Sequence, residues 1–167
     1  METPLPPEPP HSAGEFETLT SFLDYYRGVM VRKIEGLDAE GLRRSVVASA
    51  TSLGGLLKHL AYVERNWFAA RYGGQDVTFP WTETDPDADF RLEDTDDDQS
   101  LIEFYLAECQ RSREVMMADP DLDRVVPASR GRHVSLRWIL VHMIEETARH
   151  AGHADIIREM VDGKVGD

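Results

Sequence analysis

The chain of 167 residues carries 18 Lys and Arg against 31 Asp and Glu, which gives a formal net charge of −13. The length fits one globular domain, and a hydrophobic content of 41% is enough to form a core. The acidic balance argues against a nucleic-acid-binding surface or a polybasic membrane patch, because both need an excess of positive charge. The sequence has no apolar run long enough to span a membrane, no signal peptide and one cysteine, so we expect a cytoplasmic protein without internal disulfides.

Residues 1–14 are predicted to form a disordered, proline-rich tail, because five prolines fall within the first twelve positions. Residues 15–167 are predicted to form a single domain. Its first helix begins at Glu15, since apolar residues then recur at steps of three and four as far as Ile34. Gly36 follows directly and is a plausible end for this helix.

Three further helices follow the same period. The second begins near Thr51 or Ser52 and ends at Gly73, and the acidic segment 75–97 behind it is predicted to be a solvated loop. The third begins at 95–98, where T-x-x-D resembles a capping box. Ser135 can cap the fourth and longest, which ends at Gly163. Without a convincing strand, these elements predict an all-α, four-helix bundle.

Polar residues interrupt the apolar stripe of the fourth helix. At alternating steps of four and three, the stripe comprises Ile139, Met143, Glu146, His150, His153, Ile157 and Met160. A carboxylate that faces a bundle core is costly unless a cation, a hydrogen-bond donor or a metal accompanies it. Positions four apart lie about 6 Å apart along a helix, so Glu146 and His150 can reach one ion. Gly152 predicts close approach of another helix or a ligand, or else simple tolerance of a helical glycine.

The second helix carries a matching polar residue, His59, which lies between Leu56 and Val63 on the apolar face. If the two helices are neighbours, His59 supplies a third ligand beside Glu146 and His150. Two imidazoles and one carboxylate leave a coordination position open, as in catalytic zinc sites. The pattern therefore predicts a metal site between the second and fourth helices.

Each of these residues also has an interpretation without a metal. His59 can be a half-buried core histidine, and Glu146 and His150 can form a hydrogen bond on the helix surface. His142 can pair with Glu146 but cannot join a set that includes His150, because eight residues span about 12 Å of helix. His153 is predicted to fix, through a hydrogen bond, which nitrogen of a ligating imidazole carries the proton, or else to transfer protons.

Two segments resemble the DinB-like metalloenzyme superfamily: LGGLLKHLAYVERNW at 53–67 and EETARHAGHADIIRE at 145–159. The resemblance covers nearly all of residues 15–163. The chain most resembles the branch that contains mycothiol-dependent maleylpyruvate isomerase and the mycothiol S-transferases. In that branch a glutamate stands at the position of Glu146. The resemblance implies a DinB-like four-helix bundle with one divalent metal, usually zinc, held by His59, Glu146 and His150. His153 stands where relatives commonly have glutamine.

The same resemblance implies a divalent-metal-dependent thiol S-transferase or isomerase. In this reading the metal, with zinc preferred over nickel, iron or manganese, activates a low-molecular-weight thiol of the mycothiol type for attack on a small electrophile. No protein nucleophile is required. The expected partners are small molecules rather than nucleic acid or membrane, and a homodimer is an option because relatives often pair.

Two alternatives use the same ligands differently. A metal-dependent hydrolase would hold a hydroxide at the open position instead of a thiol. A non-catalytic, stress-related protein would bind the metal without turning over a substrate. Fold and function are separable, so the resemblance alone does not choose among the three.

Overall fold

The computed structural model describes residues 5–166, and its long elements are helices. The helices are α1 Glu15–Ile34, α2 Ala39–Arg43, α3 Leu53–Glu64, α4 Asp98–Ala118 and α5 Leu136–Asp162, with a π-helical segment Arg65–Tyr72 that extends α3. Short 3₁₀ turns occupy Ala88–Phe90 and Ser129–Gly131. Two strands, β1 Val125–Pro127 and β2 His133–Ser135, pair antiparallel with Val126 opposite Val134.

The four long helices form the predicted bundle. α5 packs along α1 and α3 packs along α4, and the apolar side chains between them form two clusters. One cluster is built around Ile34, Leu57 and Ala154, and the other around Phe68 and Met143. The prediction of an all-α four-helix fold is confirmed. Within the described chain, no helix is both long and apolar enough to cross a membrane.

Polar side chains start the helices at the predicted places, with one exception. Ser52 accepts a hydrogen bond from the backbone N–H of Gly55, which fixes the start of α3 at Leu53. Ser135 caps α5 in the same way, through the N–H of Trp138. The capping box of α4 is formed by Asp97 with Ser100 and not by the T-x-x-D sequence at 95–98, so that prediction is wrong.

Two short elements were absent from the sequence prediction. The connector 37–50 contains α2, which Asp38 caps through the N–H of Gly41. The connector before α5 contains the β1–β2 hairpin, although the pattern predicted no strand. Three residues per strand are too few for the alternation of buried and exposed positions to stand out in a sequence.

The proline-rich segment lies partly outside the described residues, since residues 1–4 and Asp167 are not described. Residues 5–14 form neither helix nor strand. Pro6 lies directly against α1 at Gly28, where the absence of a side chain leaves room for the ring, and Pro9 is buried. Disorder of the whole tail stays a prediction.

Candidate metal centre

Three side chains from α3 and α5 converge on one point. His59 comes from the second turn of α3, while Glu146 and His150 occupy consecutive turns of α5. One ligand atom from each residue lies within 4.8 Å of the other two. Nε2 of His59 is 3.5 Å from Oε1 of Glu146, and Nε2 of His150 is 3.3 Å from the same oxygen. The predicted trio is therefore brought together between the two helices.

The spacing of these atoms fits a divalent cation. With zinc–ligand distances of about 2.0–2.1 Å and tetrahedral angles, neighbouring ligand atoms lie about 3.3 Å apart. The two histidine–glutamate separations, 3.3 and 3.5 Å, agree with that value, and the ligand nitrogens of the two histidines lie within 4.8 Å of each other. Two imidazoles and a carboxylate also suit zinc by donor type, and nickel or iron as well. Three protein ligands leave room in the coordination sphere for a substrate or water.

The electrostatics of the trio favour an ionised glutamate. Hydrogen bonds with His150 and then His59 hold the pKa of Glu146 well below its usual range, despite partial burial. Arg149 lies 3.7 Å from the other carboxylate oxygen, Oε2, and also pairs with Glu145. Oε1 thus faces the histidines, while Oε2 faces the guanidinium.

His59 has a second partner on the opposite edge of its ring. Nδ1 of His59 lies 2.7 Å from Oδ2 of Asp89, and the ring of Phe90 stacks on the imidazole at 4.1 Å between centroids. Burial lowers the pKa of His59, but the hydrogen bonds with Asp89 and Glu146 outweigh it and raise the pKa above its ordinary value. The ring is therefore held on three sides, by Asp89, Phe90 and Glu146.

The other two histidines of α5 lie outside the trio. His153 is exposed, and its Nδ1 lies 3.4 Å from Nδ1 of His150, on the edge that faces away from Glu146. His142 packs between Trp67 and Trp138, with ring centroids 5.0 Å from each, and burial lowers its pKa. Glu146 is thus paired with His150, and His142, the alternative partner, packs against the two tryptophans instead.

The predicted inward stripe of α5 is wrong in its central part. The fully buried positions between Met143 and Ile157 are Thr147, Ala151 and Ala154. Glu146 and His150 lie beside that line, with side chains 16% and 13% exposed, and Met160 is 54% exposed. The small residues allow α5 to pack closely on the core, so the ligands occupy the margin of the buried face and not its centre.

Sequence reasoning missed Asp89 and Phe90. Both belong to the acidic segment 75–97, which was interpreted as a solvated loop, yet Asp89 is only 4% exposed. Seven Asp or Glu residues fall between positions 85 and 97, and no spacing distinguishes the buried one from the others. A partner 30 residues from His59 leaves no periodic signal.

Comparisons with known proteins give the family and the fold of this chain. The family described as "Mycothiol-S-transferase" matches residues 18–163, a range that includes α3, α4, α5 and all three candidate ligands. The crystal structure of a conserved protein from Enterococcus faecalis superposes with a TM-score of 0.72 at 16% identity, and the match covers 92% of this chain and 100% of that one. No curated protein matches the chain at a significant level. The extent of the family match shows that this chain belongs to the mycothiol S-transferases, a DinB-like family.

Proposed function

We propose that the chain is a divalent-metal-dependent S-transferase that joins a low-molecular-weight thiol to a small electrophile. The observation that carries the proposal is the convergence of His59, Glu146 and His150 on one point. A divalent ion held by these three side chains would keep a coordination position open for a substrate. Membership of the mycothiol S-transferase family supports mycothiol as the thiol. The proposed metal is zinc, with nickel, iron and manganese as the alternatives.

The trio would hold the metal, with Nε2 of each histidine and Oε1 of Glu146 as ligand atoms. When bound, the ion supplies Lewis acidity, which lowers the pKa of a thiol so that a thiolate exists near neutral pH. Arg149, beside Oε2 of Glu146, keeps that carboxylate oxygen occupied and leaves Oε1 for the ion. These roles require no movement of either helix.

The nucleophilic sulfur has to come from a small molecule. The single cysteine, Cys109, is fully buried in α4, and burial raises the pKa of its thiol far above the ordinary value. A buried, protonated thiol is a poor nucleophile. A thiol delivered from solvent to the metal centre avoids this constraint.

The transfer needs no oxidant. The thiolate sulfur forms a bond to an electrophilic carbon, and the leaving group departs with the electron pair of its own bond. The thiol proton leaves for solvent, by way of a nearby base where one is available. His153 is exposed and adjacent to His150, so we propose it as the group that takes up this proton or fixes the His150 ring. In an isomerisation, the sulfur would add and later leave.

The same proposal covers partners and location. With a net charge of −13, the chain has no electrostatic advantage on nucleic acid or on anionic lipid, so both substrates are small molecules. We propose a cytoplasmic enzyme, where low-molecular-weight thiols remain reduced. A homodimer is retained as a proposal, with molecular mass in solution as its test.

A thiol-consumption assay tests the proposal. The zinc-loaded protein is incubated with mycothiol and chlorodinitrobenzene, and both loss of free thiol and formation of the aryl thioether are measured. We expect one thiol to be consumed for each thioether formed, with activity lost after chelation and restored by zinc. His150→Ala, which removes one ligand, should reduce the rate to the uncatalysed background, whereas His142→Ala should not.

Two results would overturn the proposal. Equal release of chloride in the absence of thiol would indicate attack by water and therefore a hydrolase. Full thioether formation by the chelated protein, or by His150→Ala, would show that the trio has no part in the reaction.

A further inference from the structure

Asp89 is a buried carboxylate whose side chain has one partner within the described chain. Its Oδ2 lies 2.7 Å from Nδ1 of His59, and its Oδ1 is buried without a hydrogen-bond partner. The residue is 4% exposed. Removing a carboxylate from water costs free energy unless a hydrogen-bond donor or a cation compensates it, and the partner that the described chain supplies to Asp89 is the ring of His59.

The position of Asp89 fixes the tautomer of His59. A carboxylate only accepts hydrogen bonds, so Nδ1 carries a proton, and in the neutral form of the ring, the form that binds metals, Nε2 is left with its lone pair. That lone pair faces the side of the ring where Glu146 and His150 lie. Asp89 cannot itself be a ligand of the same ion, because it lies against the opposite nitrogen.

We infer that Asp89 is a positioning residue of the metal centre, which holds Nε2 of His59 toward the ion and stabilises the charge that the imidazole acquires on binding it. The inference rests on the metal binding that the proposed function assumes. Carboxylate partners of ligating histidines orient the ring and raise its basicity. The acidic segment 75–97 thereby acquires a role in metal binding that its sequence does not indicate.

The surrounding contacts hold Asp89 in register with α3. The 3₁₀ turn Ala88–Phe90 packs on the first turns of α3, and the Phe90 ring lies nearly parallel to the His59 ring, at 13°. Gly55 makes this approach feasible, since a Cβ there would lie 2.6 Å from the carbonyl oxygen of Phe90. The turn is thus placed by backbone contact as well as by the Asp89–His59 hydrogen bond.

The test compares zinc affinity among variants of the full-length, metal-free chain. Zinc dissociation constants are measured by competition with a chromophoric chelator for wild type, Asp89→Asn, Asp89→Ala and the control Asp85→Asn. The control removes one negative charge from the same segment at an exposed pair with Arg91. We expect about 10-fold weaker binding for Asp89→Asn, up to about 100-fold for Asp89→Ala, and no change for Asp85→Asn.

Melting temperatures of the metal-free variants separate positioning from a general structural role. If Asp89→Asn lowers the melting temperature but binds zinc as tightly as wild type, Asp89 only supports the fold and the inference is overturned. If Asp85→Asn weakens zinc binding as much as Asp89→Asn does, the inference is also overturned, because the loss of any negative charge from the segment would then explain the effect. Thiol transfer is not part of this measurement. A chain that binds zinc but transfers no thiol refutes the proposed function and leaves the Asp89 comparison intact.

Discussion

Cys109 carries the one thiol of the chain, and its surroundings make that thiol unreactive. It is fully buried in the core cluster that also contains Leu101 and Tyr105 of its own helix and Leu57 of α3. Burial is the main reason that its pKa is raised. A residue of this kind serves packing and not chemistry.

Substitution of Cys109 by alanine is expected to leave thiol transfer unchanged. The lost sulfur removes packing contacts, which should lower the free energy of unfolding by about 1 kcal/mol. The rate of thioether formation checks the activity, and urea denaturation checks the free energy of unfolding. A thiol-specific reagent should leave the folded wild-type protein unlabelled and should label Cys109 once the protein is unfolded. A large loss of activity in stably folded Cys109→Ala would instead indicate a protein-bound sulfur nucleophile.

The residues of the metal centre differ in how far a sequence can reveal them. Glu146 and His150 are predictable because their spacing of four places both on one side of a helix whose period is clear. His59 is predictable as a polar residue on an apolar face. Asp89 is not, because its neighbours are also acidic and its burial depends on how a segment without periodicity folds over α3.

The helices also differ in how far the sequence predicts them. α1 and α5 occur where the pattern predicts them, because twenty or more residues repeat one period, and Ser135 and Gly163 also mark the ends of α5. The π-helical turns at Arg65–Tyr72 have no such signal, since they arise from a shift of hydrogen bonding, as from Gly73 N–H to the Phe68 carbonyl. Such a shift depends on packing and not on local composition.

A buried ion pair joins α1 to the last residue of α3. Arg27 donates from Nε and Nη2 to both carboxylate oxygens of Glu64, at 2.8 and 2.6 Å, and both residues are almost fully buried. Asp24 accepts from Nη1 of Arg27 and also pairs with Arg113 of α4. The network therefore connects three of the four long helices.

Removal of one member of this pair is expected to be strongly destabilising. Glu64→Ala leaves Arg27 buried without its main partner, which should cost about 3–5 kcal/mol in urea denaturation. The double variant Arg27→Met with Glu64→Leu should recover most of that loss. Glu15→Ala, which breaks the exposed pair with Arg137, is the control and should unfold close to wild type. A Glu64→Ala effect no larger than that of the control would contradict the argument.

Two helical glycines differ in what surrounds them, and their alanine variants should differ accordingly. Gly55→Ala places a Cβ against the Phe90 carbonyl, so the turn that carries Asp89 has to move away from His59. We expect weaker zinc binding in the chelator competition. Gly152 has no described atom within 4 Å of an added Cβ, so the close approach of another helix that the sequence suggested does not occur within the described chain.

Gly152→Ala is therefore the matched control. It should stabilise α5 by about 1 kcal/mol through helix propensity and leave zinc affinity unchanged. If Gly55→Ala binds zinc like wild type while its fold is intact, the turn does not depend on the close backbone contact.

At the scale of the whole molecule, the candidate metal centre brings together residues of helices that are distant along the chain. His59 and Glu146 are separated by 87 positions. An unfolded chain seldom brings such residues together, so the three ligands exist as a set only in the folded bundle. A ligand that binds only the folded state stabilises it by an amount set by its concentration relative to its dissociation constant.

Zinc should consequently raise the melting temperature of the whole domain. At a free zinc concentration 100 times the dissociation constant, the gain is about 2.7 kcal/mol, which corresponds to a rise of about 5–11 °C for a chain of this length. Calorimetry with zinc and then with excess chelator measures the rise and its reversal. His150→Ala should melt near metal-free wild type and show no comparable rise. An equal rise in that variant would show that the trio contributes nothing to the stabilisation by zinc. The stabilising ion would then bind at other carboxylates, and the acidic segment 75–97 would be the first alternative.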